Sequence, residues 1–199
     1  FVAIKFSNAI FNPIEVGFYR TGIGALFLFC AVKFRGGSIT LFNENTRLYS
    51  LIGFLNASIP FTLLPYGLIT LPSNIGVIIL SANPFLALVL AHFFTLDEKL
   101  SIRKVIGSII GFSGVVFAVG MEVLVSDLNS LISALAIYIG ASSYVISNLI
   151  IRRISYLPSD MVTMNTLFWG SIWLLPLVLI YGNLQNIEFS SIPVFAIIY

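Results

Sequence analysis

Apolar residues in this chain come in runs of membrane-crossing length, one after another, parted by short polar breaks. A helix of about 20 such residues crosses the hydrocarbon core of a bilayer. Backbone inside lipid must satisfy its own hydrogen bonds, so a run of this kind has one regular conformation open to it, the α-helix. The charge content agrees, at 9% of residues, where a soluble domain carries about 25%. Mean hydropathy is +1.03. The fold class is therefore all-α, a polytopic membrane helix bundle.

Charged and turn-forming breaks divide the chain into spans. The tail of a first helix ends near Ala9, and further helices are expected over Pro13–Phe34, Leu48–Thr70, Asn74–Leu96, Arg103–Val123, Leu128–Ile151 and Met161–Tyr181. Another starts near Phe189 and is cut off at Tyr199, and the chain opens on Phe1, so the sequence reads as a fragment of a longer protein. The basic residues fall in alternate loops. Lys33, Arg35 and Arg47 form one group, Lys99, Arg103 and Lys104 a second, and Arg152 with Arg153 a third, which is eight of the ten Lys and Arg. The opposite loops hold Glu122, Asp127 and Glu188. The positive-inside rule puts the basic loops in the cytoplasm of a multi-pass protein of the cell membrane.

Several function classes drop out. A net charge of +2 gives no footprint for nucleic acid, and one cysteine, Cys30, allows no disulfide framework. A single histidine, with no metal-ligand cluster and no nucleophile motif, leaves nothing for enzyme chemistry, a metal or a cofactor. The stretch at Phe1 (FVAIKFSNAIFNPIEV) and the one at Tyr144 (YVISNLIIRRISYLPSDMV) share a plan: helix end, polar link, proline, new helix. Only the second link carries arginines, so the two units point opposite ways across the bilayer. Inverted repeats of this kind are a transporter signature.

Three stretches then carry a resemblance. They are NASIPFTLLPYGLITL from Asn56, SANPFLALVLAHFFTLDEKLS from Ser81 and KVIGSIIGFSGVVFAVG from Lys104, with FVAIK and the Tyr19-Arg20 pair before them. Together they resemble the EamA-type drug/metabolite transporter family. The resemblance implies a ten-helix, five-plus-five inverted-repeat carrier of which this chain is a fragment. Residues 1–125 would be the first repeat, with helix one truncated, and 126–199 part of the second. Pro65 departs from the small residue expected at that place and leaves the local shape of the third helix open.

Individual residues sharpen the expectation. Pro60 and Pro65 each remove a helix donor and crowd the carbonyl four residues back, and Asn83-Pro84 interrupts the next span. Freed backbone in a membrane is tolerated where it faces other helices or water, so Pro60, Pro65 and Pro84 read as helix breaks lining a cavity, or as kinks that shape packing. Lys5, Asn56, Tyr66, Ser81, Asn83, Tyr144 and Asn148 are the candidate substrate ligands. Lys5 sits where a charge costs about 2.5–3.5 kcal/mol at a helix centre. It would capture an anionic or zwitterionic substrate, snorkel outward, or pair with Glu15. Arg20 reads as half of an intramolecular pair, with Glu15 five residues before it, or as a headgroup contact. His92 reads as a hydrogen-bonded structural residue. Gly107, Gly111 and Gly114 suit close helix packing, against an internal neighbour first or a second subunit in a homodimer.

The functional expectation is a multi-pass carrier moving a small polar metabolite, an amino acid or derivative, by alternating access, with export as its direction on the resemblance. The partners are that small molecule and the lipid bilayer. The other class left open is an integral membrane structural or assembly partner that transports nothing.

Overall fold

The computed structural model describes residues 4, 8, 11–37, 40–94, 100–119 and 128–182. Helix α1 spans Pro13–Phe34. The next span is built in three pieces: α2 (Thr46–Gly53), a π-helical turn (Phe54–Ser58) and α3 (Ile59–Thr70). A broken span follows as α4 (Ser73–Leu80) and α5 (Asn83–Phe94). Then come α6 (Ile102–Val119), α7 (Leu128–Ile151) ending in a 3-10 turn (Arg152–Ile154), and α8 (Ser159–Tyr181). Five stretches are long and apolar enough to cross a membrane: Pro13–Phe34, Thr46–Thr70, Ser73–Phe94, Leu128–Ile154 and Ser159–Tyr181. The sequence boundaries hold to within two residues at every described helix start. Lys5 and the helix expected from Phe189 lie outside the described residues.

Local chemistry starts α1. Asn12 accepts a 2.9 Å hydrogen bond from the Glu15 amide, and the Glu15 carboxylate accepts one of the same length from the Asn12 amide. Pro13 sits at the first helical position, where a missing amide costs nothing. This reciprocal cap engages the Glu15 side chain, which is buried. Among the described residues Arg20 meets the Phe61 ring, and no ion pair to Glu15 is seen.

Four of the spans pack as antiparallel neighbours. Lipid tails are as apolar as the side chains, so helices in a bilayer associate by close van der Waals fit and small residues. Along α3 and α7 the register runs from Gly67 against Ile137, through Gly140 against Leu64, to Asn56, whose Nδ2 donates to Ser147 Oγ at 2.8 Å. Along α1 and α8, Gly24 meets Leu167, Thr21 meets Gly170, and Gly17 meets Leu174. Helix α2 and the π turn lie on α8 so closely that a Cβ on Gly53 would stand 2.8 Å from the Gly170 nitrogen. Ser58 Oγ donates to the Gly170 carbonyl at 2.9 Å.

The two ends of the bundle are tied differently. At one end Asn45 Nδ2 reaches the Tyr156 hydroxyl at 3.5 Å, beside a cluster of Tyr49, Ile52, Ile154 and Val162. Arg35, Arg47, Arg152 and Arg153 flank these connections in sequence. At the other end Asn12 Nδ2 donates to the Tyr181 carbonyl at 3.2 Å. The broken span is the least buried: 6% of its 18-residue apolar window is buried, against 50% for that of Thr46–Thr70.

Candidate functional site

The third apolar span breaks at Ser81-Ala82, between α4 and α5. Pro84 has no amide to give the Leu80 carbonyl, so the ladder cannot run on through it. Short turn bonds take over, from the Ser81 amide to Ile78 and from the Ala82 amide to Ile79. Ser81 Oγ folds back on the Ile78 carbonyl at 2.6 Å. Asn83 pins the break to α7, donating from Nδ2 to the Ala141 carbonyl at 2.9 Å. Its Oδ1 is buried with no partner among the described residues.

A cavity of about 800 Å³ opens beside this break, walled by α5, α6 and α7. Ser81 and Pro84 line one side, Asn148 and Arg152 the facing side, and Lys104 with Ser108 the third. Gly107 and Gly111 face it too, and a Cβ on Gly107, Gly111 or Gly114 would meet nothing within 4 Å among the described residues. Among the described residues nothing packs on this glycine stripe. On Gly107 and Gly111 the missing side chains widen the cavity instead.

A second, smaller cavity of about 150 Å³ lies between α1, α3 and α7. Pro60, Pro65, Arg20, Phe61 and Tyr144 line it. The Arg20 guanidinium sits over the Phe61 ring, 4.7 Å from its centroid. Pro60 is the second residue of α3, directly after the π turn in which the Ile59 amide bonds to Phe54, five residues back. The ladder is already widened where the proline ring arrives. Pro65, expected as a break, instead lies inside unbroken α3. The Phe61 carbonyl it deprives of a donor packs against Gly17, where a Cβ would stand only 2.8 Å away. A glycine Cα–H at that spot offers the carbonyl a weak hydrogen bond.

The structure thus gathers Ser81, Pro84 and Asn148 at one cavity and Pro60, Pro65 and Tyr144 at the other. Asn56 and Asn83 each donate an interhelical bond from Nδ2 to α7. Tyr66 is 45% exposed and lines neither cavity. His92 accepts from the Leu100 amide at 3.2 Å, a structural role. Sequence reasoning missed Ser147 as the partner of Asn56, and Lys104 and Arg152 as cavity walls. The usable signal was spacing, since Tyr144, Asn148 and Arg152 recur every four residues and share one face of α7.

The profile of the EamA-like transporter family matches residues 1–120. This chain belongs to that family. The uncharacterized transporter YoaV of Bacillus subtilis (strain 168) is 24% identical over 200 residues, spanning 100% of this chain and 68% of the relative. An uncharacterized transporter of Archaeoglobus fulgidus is 31% identical over 116 residues, 58% of this chain and 41% of the relative. One solved crystal structure superposes with a TM-score of 0.75 at 16% identity, covering 100% of this chain and 68% of the other. The EamA-like chain is an integral membrane protein of a transporter family, and its relatives' names point away from an enzyme. Nothing in either cavity is arranged as a nucleophile with a base, and among the described residues no group of three His, Cys, Asp or Glu gathers to hold a metal. The lining offers hydroxyls, amides and cations, which can hold a polar solute.

Proposed function

We propose that the protein is a carrier that moves a small polar metabolite, an amino acid or a derivative of one, out across the cell membrane by alternating access. The observation that carries this reading is the cavity of about 800 Å³ beside the break in the third span. Interrupted helices mark substrate sites in transporter folds, because they present polar groups at depth while the surrounding helices shield the backbone from lipid. Ser81 and Asn148 are the solute ligands on opposite walls. Tyr144 serves a solute that has moved deeper, Lys5 is a further ligand for it, and Asn56 and Asn83 tie the π turn and α5 to α7. Pro60, Pro65 and Pro84 supply local departures from a rigid helix ladder. The antiparallel pairing of α1 with α8 and of α3 with α7 suits two repeats of opposite orientation, residues 1–125 and 126–199.

Thiol accessibility tests this. In a full-length Cys30→Ser background, Ser108→Cys puts a reporter on the wall of the larger cavity. An impermeant maleimide applied separately to each face of reconstituted vesicles should label it from both faces. A mixture of L-amino acids should slow that labelling. Labelling from a single face, indifferent to every added metabolite, would remove alternating access from the account.

A further inference from the structure

Arg20 is a permanent cation about two turns inside a membrane-spanning helix. Among the described residues no carboxylate pairs with it, and the nearest acid on its own helix, Glu15, serves the cap at Asn12. The guanidinium carbon lies 4.7 Å from the Phe61 ring centroid, a cation–π contact that leaves N–H donors for a further ligand. The same cavity is lined by Tyr144, a second donor approaching from α7. A planar donor fork with a hydroxyl beside it matches a carboxylate, which accepts two parallel hydrogen bonds from one guanidinium. The lining face of α7 continues from Tyr144 to Asn148 and Arg152, roughly 6 Å and 12 Å further along the helix axis. Those two residues line the larger cavity, so a polar stripe leads from it to Arg20.

We propose that Arg20, positioned by Phe61 and assisted by Tyr144, binds the carboxylate of the transported solute. This rests on the carrier reading, and it narrows the substrate class to molecules bearing a carboxylate. An anionic lipid headgroup could present similar oxygens to the same fork, so the experiment separates the two sources.

Full-length protein is reconstituted in vesicles with and without anionic lipid, and uptake of the common L-amino acids is compared with uptake of their carboxamides. The proposal expects acids to be preferred. It expects Arg20→Gln to raise the half-saturating concentration for the acids about tenfold or more, the worth of a hydrogen bond to a charged group. Carboxamide uptake should change far less than acid uptake, Arg20→Lys should fall between, and Tyr144→Phe should shift the acids less. Equal uptake of acids and carboxamides, lowered alike by Arg20→Gln, overturns the proposal and leaves the carrier reading standing. An Arg20→Gln effect that vanishes in phosphatidylcholine vesicles assigns the site to a headgroup and overturns it as well. If nothing is taken up, or the variant does not fold, phenylglyoxal labelling of Arg20 in wild-type protein, read by mass spectrometry, decides. Protection by the amino acids but not by their carboxamides upholds the anchor, and equal labelling with both sinks it.

Discussion

Gly53 and Gly107 are the same residue type put to opposite uses. A Cβ at Gly53 would press on the backbone of α8 at Gly170 and Thr166, 2.8 Å from each. Gly53→Ala should therefore cost about 1–3 kcal/mol, the usual penalty for overpacking, seen as a lowered midpoint of thermal unfolding in detergent. Gly107→Ala has open space before it and should leave that midpoint within about 0.5 kcal/mol of wild type. From sequence Gly107 read as a packing residue and Gly53 drew no reading, and only the partner helix separates them. The same limit applies to Arg20. Its place in a helix was legible, but Phe61 and Tyr144 lie 41 and 124 positions away, and no local pattern brings them together. Asn56 was expected as a substrate ligand, and its Nδ2 donates to Ser147 on α7. Asn56→Ala should cost about 0.6–2 kcal/mol through the lost bond to Ser147, and Ser147→Ala should add little on top of it.

At the scale of elements, proline in a helical run announces a disturbance without saying where the disturbance goes. Pro84 ends the ladder, with the turn at Ser81-Ala82 just before it. Pro65 does not, because Gly17 on α1 lets the orphaned Phe61 carbonyl pack closely. The departure in that span comes before Pro60, as a π turn, a form that often marks functional segments. Two outcomes follow. Pro65→Ala returns a donor to the Phe61 carbonyl, so unfolding temperature should hold or rise, a helix-interior proline otherwise costing about 3 kcal/mol. Pro84→Ala lets α4 run into α5 and closes the break, so solute uptake should drop while unfolding temperature does not. A Pro84→Ala protein with wild-type uptake would argue that the break is only a packing kink. Helix boundaries themselves were plain in the sequence: α1 and α7 match the expected limits residue for residue. Capping and charge mark ends locally, whereas a π turn is settled by what packs against it.

For the whole molecule, alternating charge in the loops foretold the antiparallel neighbours. Arg35, Arg47, Arg152 and Arg153 flank the loops where Asn45 meets Tyr156, and the other end closes through Asn12 and Tyr181. What the sequence could not show was that polar residues on several helices would converge on two cavities joined by one face of α7. That convergence is the basis for reading a member of the EamA-like family as an amino-acid carrier. The most direct test is exchange in proteoliposomes. Vesicles holding the full-length protein are loaded with unlabelled L-amino acids and diluted into trace radiolabelled ones. The account predicts saturable, transient accumulation of label for at least one amino acid, reduced by Arg20→Gln. Label that enters no faster than into protein-free vesicles, for every amino acid tried, would contradict it.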